Sequence, residues 1–194
     1  MGKSRLEAFS DGVIAIIITI MVLELHKPDD VSLASLMGLA PHLAIYALSF
    51  LYVGIYWNNH HHMFHAVRGV NGGILWANLH LLFWLSLVPL ASAWMGESNF
   101  ASVPVAMYGV LLLLCGFAYY ILARLLLKRE GQGSVLARAL GHDGKTLGSL
   151  AAYIIAIIAA PFYVPLSLGL YAGVACLWLI PDRRIETALA DRAL

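Results

Sequence analysis

From Gly12 to Leu23 the chain carries no charge, and Thr19 is the one polar side chain before Glu24 closes the run. Ahead of it stands a charged and hydroxylated stretch, Arg5-Leu-Glu-Ala-Phe9-Ser10-Asp11-Gly12. The segment therefore has two polar ends and a dry middle. At helical spacing Ile16, Ile20 and Leu23 follow one another at i, i+4 and i+7 and share a face. Such a face is either a packing surface or the wall of a narrow pore, and the pattern alone leaves both open.

The same alternation of long apolar runs and short polar breaks continues to the end of the chain. A helix needs about 20 apolar residues to cross a bilayer. Runs of that kind cover residues 12–25, 43–64, 74–94 and 103–123. Pro28-Asp29-Asp30, Val70-Asn71-Gly72-Gly73 and Gly96-Glu97-Ser98-Asn99 punctuate them as turns. Between the first two runs, Ser32 to Ala40 reads as a short interfacial helix. Pro104 fits a first helical turn, where its missing N–H is not needed. The last apolar block, Thr146 to Ile180, would make about 52 Å of unbroken helix at about 1.5 Å per residue. A bilayer core is about 30 Å thick. Pro161 and Pro165 near its middle therefore predict a hairpin of two short spans, 147–162 and 165–180.

Composition agrees with a membrane protein. The chain has 194 residues, 61% of them hydrophobic, and a mean hydropathy of +0.80. Soluble domains are roughly 45–50% apolar. Lys3 and Arg5 precede the first run, but a polar loop rather than a small-residue cleavage site follows it, so a removed leader is not expected. The net charge of +1 says little; its distribution says more. With six spans and both termini on one side, Lys3, Arg5, Arg68, Arg124, Lys128, Arg129, Arg138, Lys145, Arg183, Arg184 and Arg192 share that side. Only Lys27 lies opposite. The excess of basic residues predicts a cytoplasmic location for both termini and an outer one for Glu24 and Glu97. The expectation is a single all-α domain, residues 1–194, with six transmembrane helices and a charged tail from Asp182.

Few residues offer chemistry. Cys115 and Cys176 lie in apolar runs and read as buried small hydrophobes. Most tryptophans and tyrosines fall near predicted span ends, where interfacial anchoring accounts for them. His61 and His65 stand at i, i+4 in the block Asn58-Asn59-His60-His61-His62-Met63-Phe64-His65, a spacing that suits a metal. No HExxH, CxxC or second histidine cluster completes such a site, so no metal is expected. Neither a phosphate-binding loop nor a nucleophile elbow nor paired catalytic carboxylates occur, which argues against an enzyme. Asn78 and His80 of the third span should lie at the depth of the histidine block and of Arg5, Phe9, Ser10 and Asp11. Intramembrane ionisable groups usually face protein or water. A polar network at that level, built from Arg5, Ser10, Asp11, His61, Asn78 and His80, is expected. A proton- or ion-coupled secondary transporter and a histidine-based metal-binding membrane protein are the alternatives these residues leave open.

Arg5-x-x-x-Phe9-Ser10-Asp11 at the start of the first span resembles the RxxxFSD signature of the transmembrane protein 175 family of potassium channels. The likeness extends through Trp57 to Phe64 and to Asn78 and Pro89. Beyond Pro89 it rests only on the number and length of the spans. The resemblance implies a single-repeat prokaryotic member of a family without a carbonyl selectivity filter, forming a homotetramer in the plasma membrane. It implies a passive potassium-preferring cation channel whose first helices line the central pore. Ile16, Ile20 and Leu23 then become the constriction, Thr19 the nearest polar group, and Glu24 the outer mouth that concentrates cations. A hydrophobic constriction gates by dewetting and penalises sodium, the more tightly hydrated ion, more than potassium. The expected partners are other copies of the chain, the bilayer and monovalent cations; no nucleic acid and no cofactor beyond permeant K+ are expected.

Overall fold

The computed structural model describes residues 2–28, 30–131, 134, 136–137 and 144–179. These form eight helices: α1 Lys3–Leu23, α2 Leu33–Gly38, α3 Ala40–His65, α4 Gly72–Ser86, α5 Val88–Glu97, α6 Ser102–Glu130, α7 Gly144–Ala159 and α8 Val164–Leu179. Among the described residues there is no strand. Arg138, Arg183, Arg184 and Arg192, and the tail from Asp182, lie outside the described residues.

Local chemistry sets the helix ends. The Ser32 side chain accepts from the Ser35 backbone N–H at the start of α2, and Asn71 accepts from Ile74 at the start of α4. Pro41 sits in the first turn of α3. Gly131, at φ +88°, stops α6. The third predicted span departs from a single rod. It divides at Leu87 into α4 and α5, because Pro89 in the first turn of α5 has no N–H to continue the ladder. The two pieces still form one apolar stretch, Gly72–Glu97.

Three further expectations are corrected. The fourth predicted span, expected to end at 123, runs on as α6 to Glu130 and carries Arg124, Lys128 and Arg129. Leu125, Leu126 and Leu127 supply apolar surface between those charges, so the helix continues. The tyrosines are also misplaced by sequence reasoning. Tyr52, Tyr56, Tyr108, Tyr119, Tyr153 and Tyr171 are buried inside the bundle, not stationed at its interfaces. Cys115 is buried, whereas Cys176 is exposed.

Four stretches, Lys3–Leu23, Ala40–His65, Gly72–Glu97 and Ser102–Glu130, are long and apolar enough to cross a membrane. The predicted hairpin of short spans corresponds to α7 and α8, joined by a turn at Ala160–Tyr163. At 16 residues each, they make about 24 Å of helix at about 1.5 Å per residue. The Ser167 hydroxyl donates to the Ala156 carbonyl at 2.7 Å and holds the hairpin closed.

α6 is the hub: it packs against α4, α5, α7 and α8. α1 packs on the far side, against α3, α4 and α5. One end of the bundle is tied by Lys3 Nζ to the Val67 carbonyl at 3.0 Å and by the Arg68 N–H to Glu130 at 2.9 Å. That end carries the described basic residues other than Lys27.

Within the bundle the tyrosines work as hydrogen-bonding spacers. Tyr52 donates to the Tyr171 carbonyl at 2.6 Å, and Tyr171 donates to the Val105 carbonyl at 3.0 Å. Tyr108 and Ser49 share a bond of 2.9 Å. Gly109 makes the close approach of α6 and α8 possible. A Cβ there would collide with the Tyr171 hydroxyl and come within 2.9 Å of Ile157 Cγ1. Gly109→Ala should therefore displace Tyr171 and cost about 1–3 kcal/mol, read as a lower melting temperature in detergent. Gly173→Ala, which meets nothing within 4 Å, should be neutral or slightly stabilising. Equal melting temperatures for the two variants would contradict this packing.

Candidate functional site: the two faces of the first helix

α1 divides lengthwise into two faces. Leu6, Ser10, Ile14, Ile17 and Met21 are buried against α3, α4 and α5. The spacing of four, four, three and four residues is that of a helical stripe. The opposite face carries Arg5, Phe9, Gly12, Ile16, Thr19, Ile20 and Leu23, all exposed in the single chain. The contrast is sharp between neighbours: Ile17 is 3% exposed, whereas Ile16 is 59%, Ile20 41% and Leu23 79% exposed.

One buried hydrogen-bond chain fixes this rotation. The Asn78 amide nitrogen on α4 donates to Ser10 Oγ at 2.9 Å, and Ser10 donates to the Leu6 carbonyl at 2.9 Å. His60 Nε2 on α3 lies 2.7 Å from the Asn78 amide oxygen. That oxygen can only accept, so the His60 proton sits on Nε2. The His60 ring also packs on Phe64, with centroids 4.4 Å apart. Ser10, His60 and Asn78 are all buried. Three helices thus share one directional chain: His60 to Asn78 to Ser10 to the α1 backbone.

The sequence-predicted residues distribute unevenly around it. Ser10 and Asn78 join the chain as expected from their shared depth. His61 does not; it is exposed, and His60 occupies the buried place. One residue is a rotation of about 100° on a helix, and the block of adjacent histidines concealed which one turns inward. The pairing of His60 with Phe64, at i, i+4, is the signal that could have found it. Asp11 lies beside the chain rather than in it, accepting from Trp57 Nε1 at 3.0 Å on the surface. Arg5 and Phe9 are exposed on the open face. His80 is half-buried and accepts from Trp84 Nε1 at 2.8 Å. His61 and His65 stack with centroids 6.0 Å apart, Trp57 stacks on His61, and the row is exposed.

On the open face, the Thr19 hydroxyl donates to the Ile16 carbonyl at 2.8 Å. Its proton is committed to the helix, so only its lone pairs face outward. Glu24 caps the far end of α1 and is exposed. It lines a cleft of about 300 Å³ with Met21, His42, Ser92 and Glu97. Glu24 and Glu97 thus gather at the end of the bundle opposite Lys3, Arg68 and Glu130.

Ser10→Ala or Asn78→Leu should each orphan a buried partner, costing about 1–3 kcal/mol. The loss should appear as a lower melting temperature and a lower yield of folded protein. His61→Ala should be close to neutral. A His61 variant as damaging as the Asn78 variant would overturn this assignment.

Comparison with known proteins places the same region. A family model described as endosomal/lysosomal potassium channel TMEM175 matches residues 5–89, which run from the exposed Arg5 to Pro89 at the start of α5. A potassium channel from Chryseobacterium sp. (strain P1-3) is 53% identical over 191 residues, covering 98% of this chain and 100% of that one. The human endosomal/lysosomal proton channel TMEM175 is 34% identical over 116 residues, 54% of this chain and 23% of the human protein. The crystal structure of a lysosomal potassium-selective channel TMEM175 homolog from Chamaesiphon minutus matches with a TM-score of 0.79 at 26% identity, covering 93% of this chain and 97% of that one. The full-length likeness, the matched signature and the shared fold together mean that this chain belongs to the TMEM175 family of potassium channels, membrane proteins of ion transport rather than enzymes.

Proposed function

We propose that four copies of the chain surround a central axis and form a passive, potassium-preferring cation channel in the plasma membrane of a prokaryote. The open face of each α1 lines the pore. Ile16, Ile20 and Leu23 make a dry constriction in place of a carbonyl filter. The observation that carries this reading is the two-faced helix. One stripe of α1 is locked into the subunit by Ser10, while an uncharged strip of large side chains is left uncovered beside it.

The strip suits the task. A ring of branched aliphatic side chains narrows to ion width and offers no ligand to replace lost hydration. Sodium holds its water more tightly than potassium and pays more to pass. Glu24 at one mouth raises the local cation concentration. Thr19, with its lone pairs outward, is the one polar group within the strip. The relatives' names support a channel, and the bacterial relative matched over nearly the whole chain is named a potassium channel. The clustering of Lys3, Arg68, Lys128 and Arg129 at one end supports a cytoplasmic location for that end.

Ile16→Asn should raise single-channel conductance and weaken the preference for potassium over sodium, because an amide supplies part of sodium's hydration shell. Ile17→Asn places the same amide in the subunit interior, where it should lower folded yield and leave the selectivity of surviving channels unchanged. Planar-bilayer currents in potassium/sodium gradients separate these outcomes. Equal shifts in selectivity at both positions, or no change at Ile16, would remove α1 from the pore wall. Native mass measurement in a mild detergent should show a tetramer; a strictly monomeric protein that still conducts would refute the assembly.

A further inference from the structure

The strip that carries Ile16, Ile20 and Leu23 does not stop at Phe9. Arg5 is exposed as well. Eighteen residues, five turns at about 3.6 residues each, separate it from Leu23. The two therefore leave α1 in the same direction, about 27 Å apart along its axis. Ile16, eleven residues on from Arg5, is turned from both by only about 20°. The other charges of this half of α1 are directed elsewhere. Lys3 Nζ donates to the Val67 carbonyl at 3.0 Å and lies 4.0 Å from Glu7. Asp11 stands about 120° round the helix from Arg5, where it accepts from Trp57 Nε1 on α3. Among the described residues the Arg5 side chain makes no ion pair and no hydrogen bond. A guanidinium does not lose its proton in a protein, so Arg5 puts a permanent positive charge on the strip.

The surroundings reinforce that sign. Arg68, Lys128 and Arg129 at the same end of the bundle are exposed. Glu130 is half-buried there and accepts from the Arg68 N–H. At the other end of α1 the sign reverses. Glu24 follows Leu23, and Glu97 lines the same cleft; both are exposed. The exposed Lys27 opposes them in the loop that follows α1. The uncharged interval of α1 thus runs between a cation at one end and carboxylates at the other.

We infer that Arg5 from each copy forms a positively charged ring at one mouth of the proposed pore, opposite the Glu24 carboxylates, and that this polarity makes conduction asymmetric. Potassium enters more readily from the Glu24 end than from the Arg5 end. The inference rests on α1 lining the pore. Fixed charge at a mouth changes the local concentration of the permeant ion. Screened Coulomb interaction with four guanidinium groups about 10 Å from the axis depletes cations about two- to threefold at about 0.1 M salt. At about 1 M the Debye length shrinks to about 3 Å and the depletion fades. Potassium and sodium carry the same charge and are depleted alike. Arg5 therefore sets the ease of entry from its side and leaves the choice between the two ions to the constriction.

The test is single-channel recording from the full-length protein in excised membrane patches, where its orientation is fixed, with the same KCl solution on both sides. At equal voltages of opposite sign, unitary current entering at the Glu24 end should exceed current entering at the Arg5 end by about two- to threefold at about 0.1 M KCl, and the ratio should approach one at about 1 M. This salt series needs no variant. Arg5→Gln should raise the smaller current about twofold at low salt and leave the potassium-over-sodium preference unchanged. Glu24→Gln should lower the larger current instead. Arg5→Cys in a Cys176→Ser background, chosen because Cys176 is exposed, gives the comparison within one channel. A cationic methanethiosulfonate applied at the Arg5 end should restore the asymmetry, and an anionic one should abolish or reverse it. Equal wild-type currents at low salt, a larger current from the Arg5 end, or undiminished asymmetry in a conducting Arg5→Gln channel would overturn the ring. Ile16→Asn separates the two ways of failing. A changed unitary current there with none in Arg5→Gln would keep α1 in the pore wall and remove Arg5 from its mouth. No change in either would refute the pore reading itself.

Discussion

A buried polar group inside a bilayer has no water to fall back on, so it must find its partner within the protein. That constraint fixes α1. Ser10 meets Asn78, and Asn78 meets His60, with every bond between 2.7 and 2.9 Å. The chain crosses three helices at one depth and cannot survive much rotation of α1 about its axis. A turn of one residue would carry Ser10 outward and leave Asn78 orphaned. Hydrophobic burial alone would not impose this, because isoleucines occur on both faces of α1 and lipid is as apolar as the core. The direction in which Ile16, Ile20 and Leu23 point is thus set by a serine six residues upstream of Ile16.

The same economy recurs on the opposite side of the bundle with different chemistry. There α3, α6 and α8 are joined by tyrosines whose hydroxyls reach backbone carbonyls: Tyr52 to Tyr171, and Tyr171 to Val105. A carbonyl already engaged in a helix retains a second lone pair. Donating to it binds two helices without breaking either ladder. Gly109 brings α6 close enough for this contact, and the apolar rings fill the remaining space. The subunit therefore has two kinds of junction. A side-chain relay holds α1, and side-chain-to-backbone bolts hold the α6–α8 half.

Much of this was legible in the sequence where the signal was long or repetitive. The apolar runs, the turn at Pro161 and the short final hairpin follow from hydropathy and from the mismatch between run length and bilayer thickness. The RxxxFSD spacing located α1 and the depth of its polar partners. What stayed hidden depended on single-residue rotation. Five contiguous polar residues, Asn58 to His62, give no periodicity, so choosing His60 over His61 needs the position of Asn78. Tyrosine is equally at home at an interface and in a core that offers carbonyls, and composition cannot separate the two. The continuation of α6 to Glu130 was missed because charge was read as loop, although the intervening Leu125, Leu126 and Leu127 keep an apolar stripe running.

Lipid covers an apolar strip as readily as protein does, so the polar groups that bracket the strip matter beside it. Two carboxylates bracket the strip along the length of α1. Asp11 and Glu24 are both exposed in the single chain. At about 1.5 Å per residue they stand about 20 Å apart along α1, whereas a hydrocarbon core is about 30 Å thick. At least one of these carboxylates therefore needs protein or water beside it below the bilayer surface, Asp11 being too short to reach out as lysine or arginine can; Asp11 has Trp57 Nε1 and Glu24 the cleft it shares with Glu97. On the proposed channel reading the strip needs only to be dry between these two polar levels, with water reaching the axis beyond each of them. The interval of about 20 Å between them is also the length over which the proposed constriction would have to stay dry.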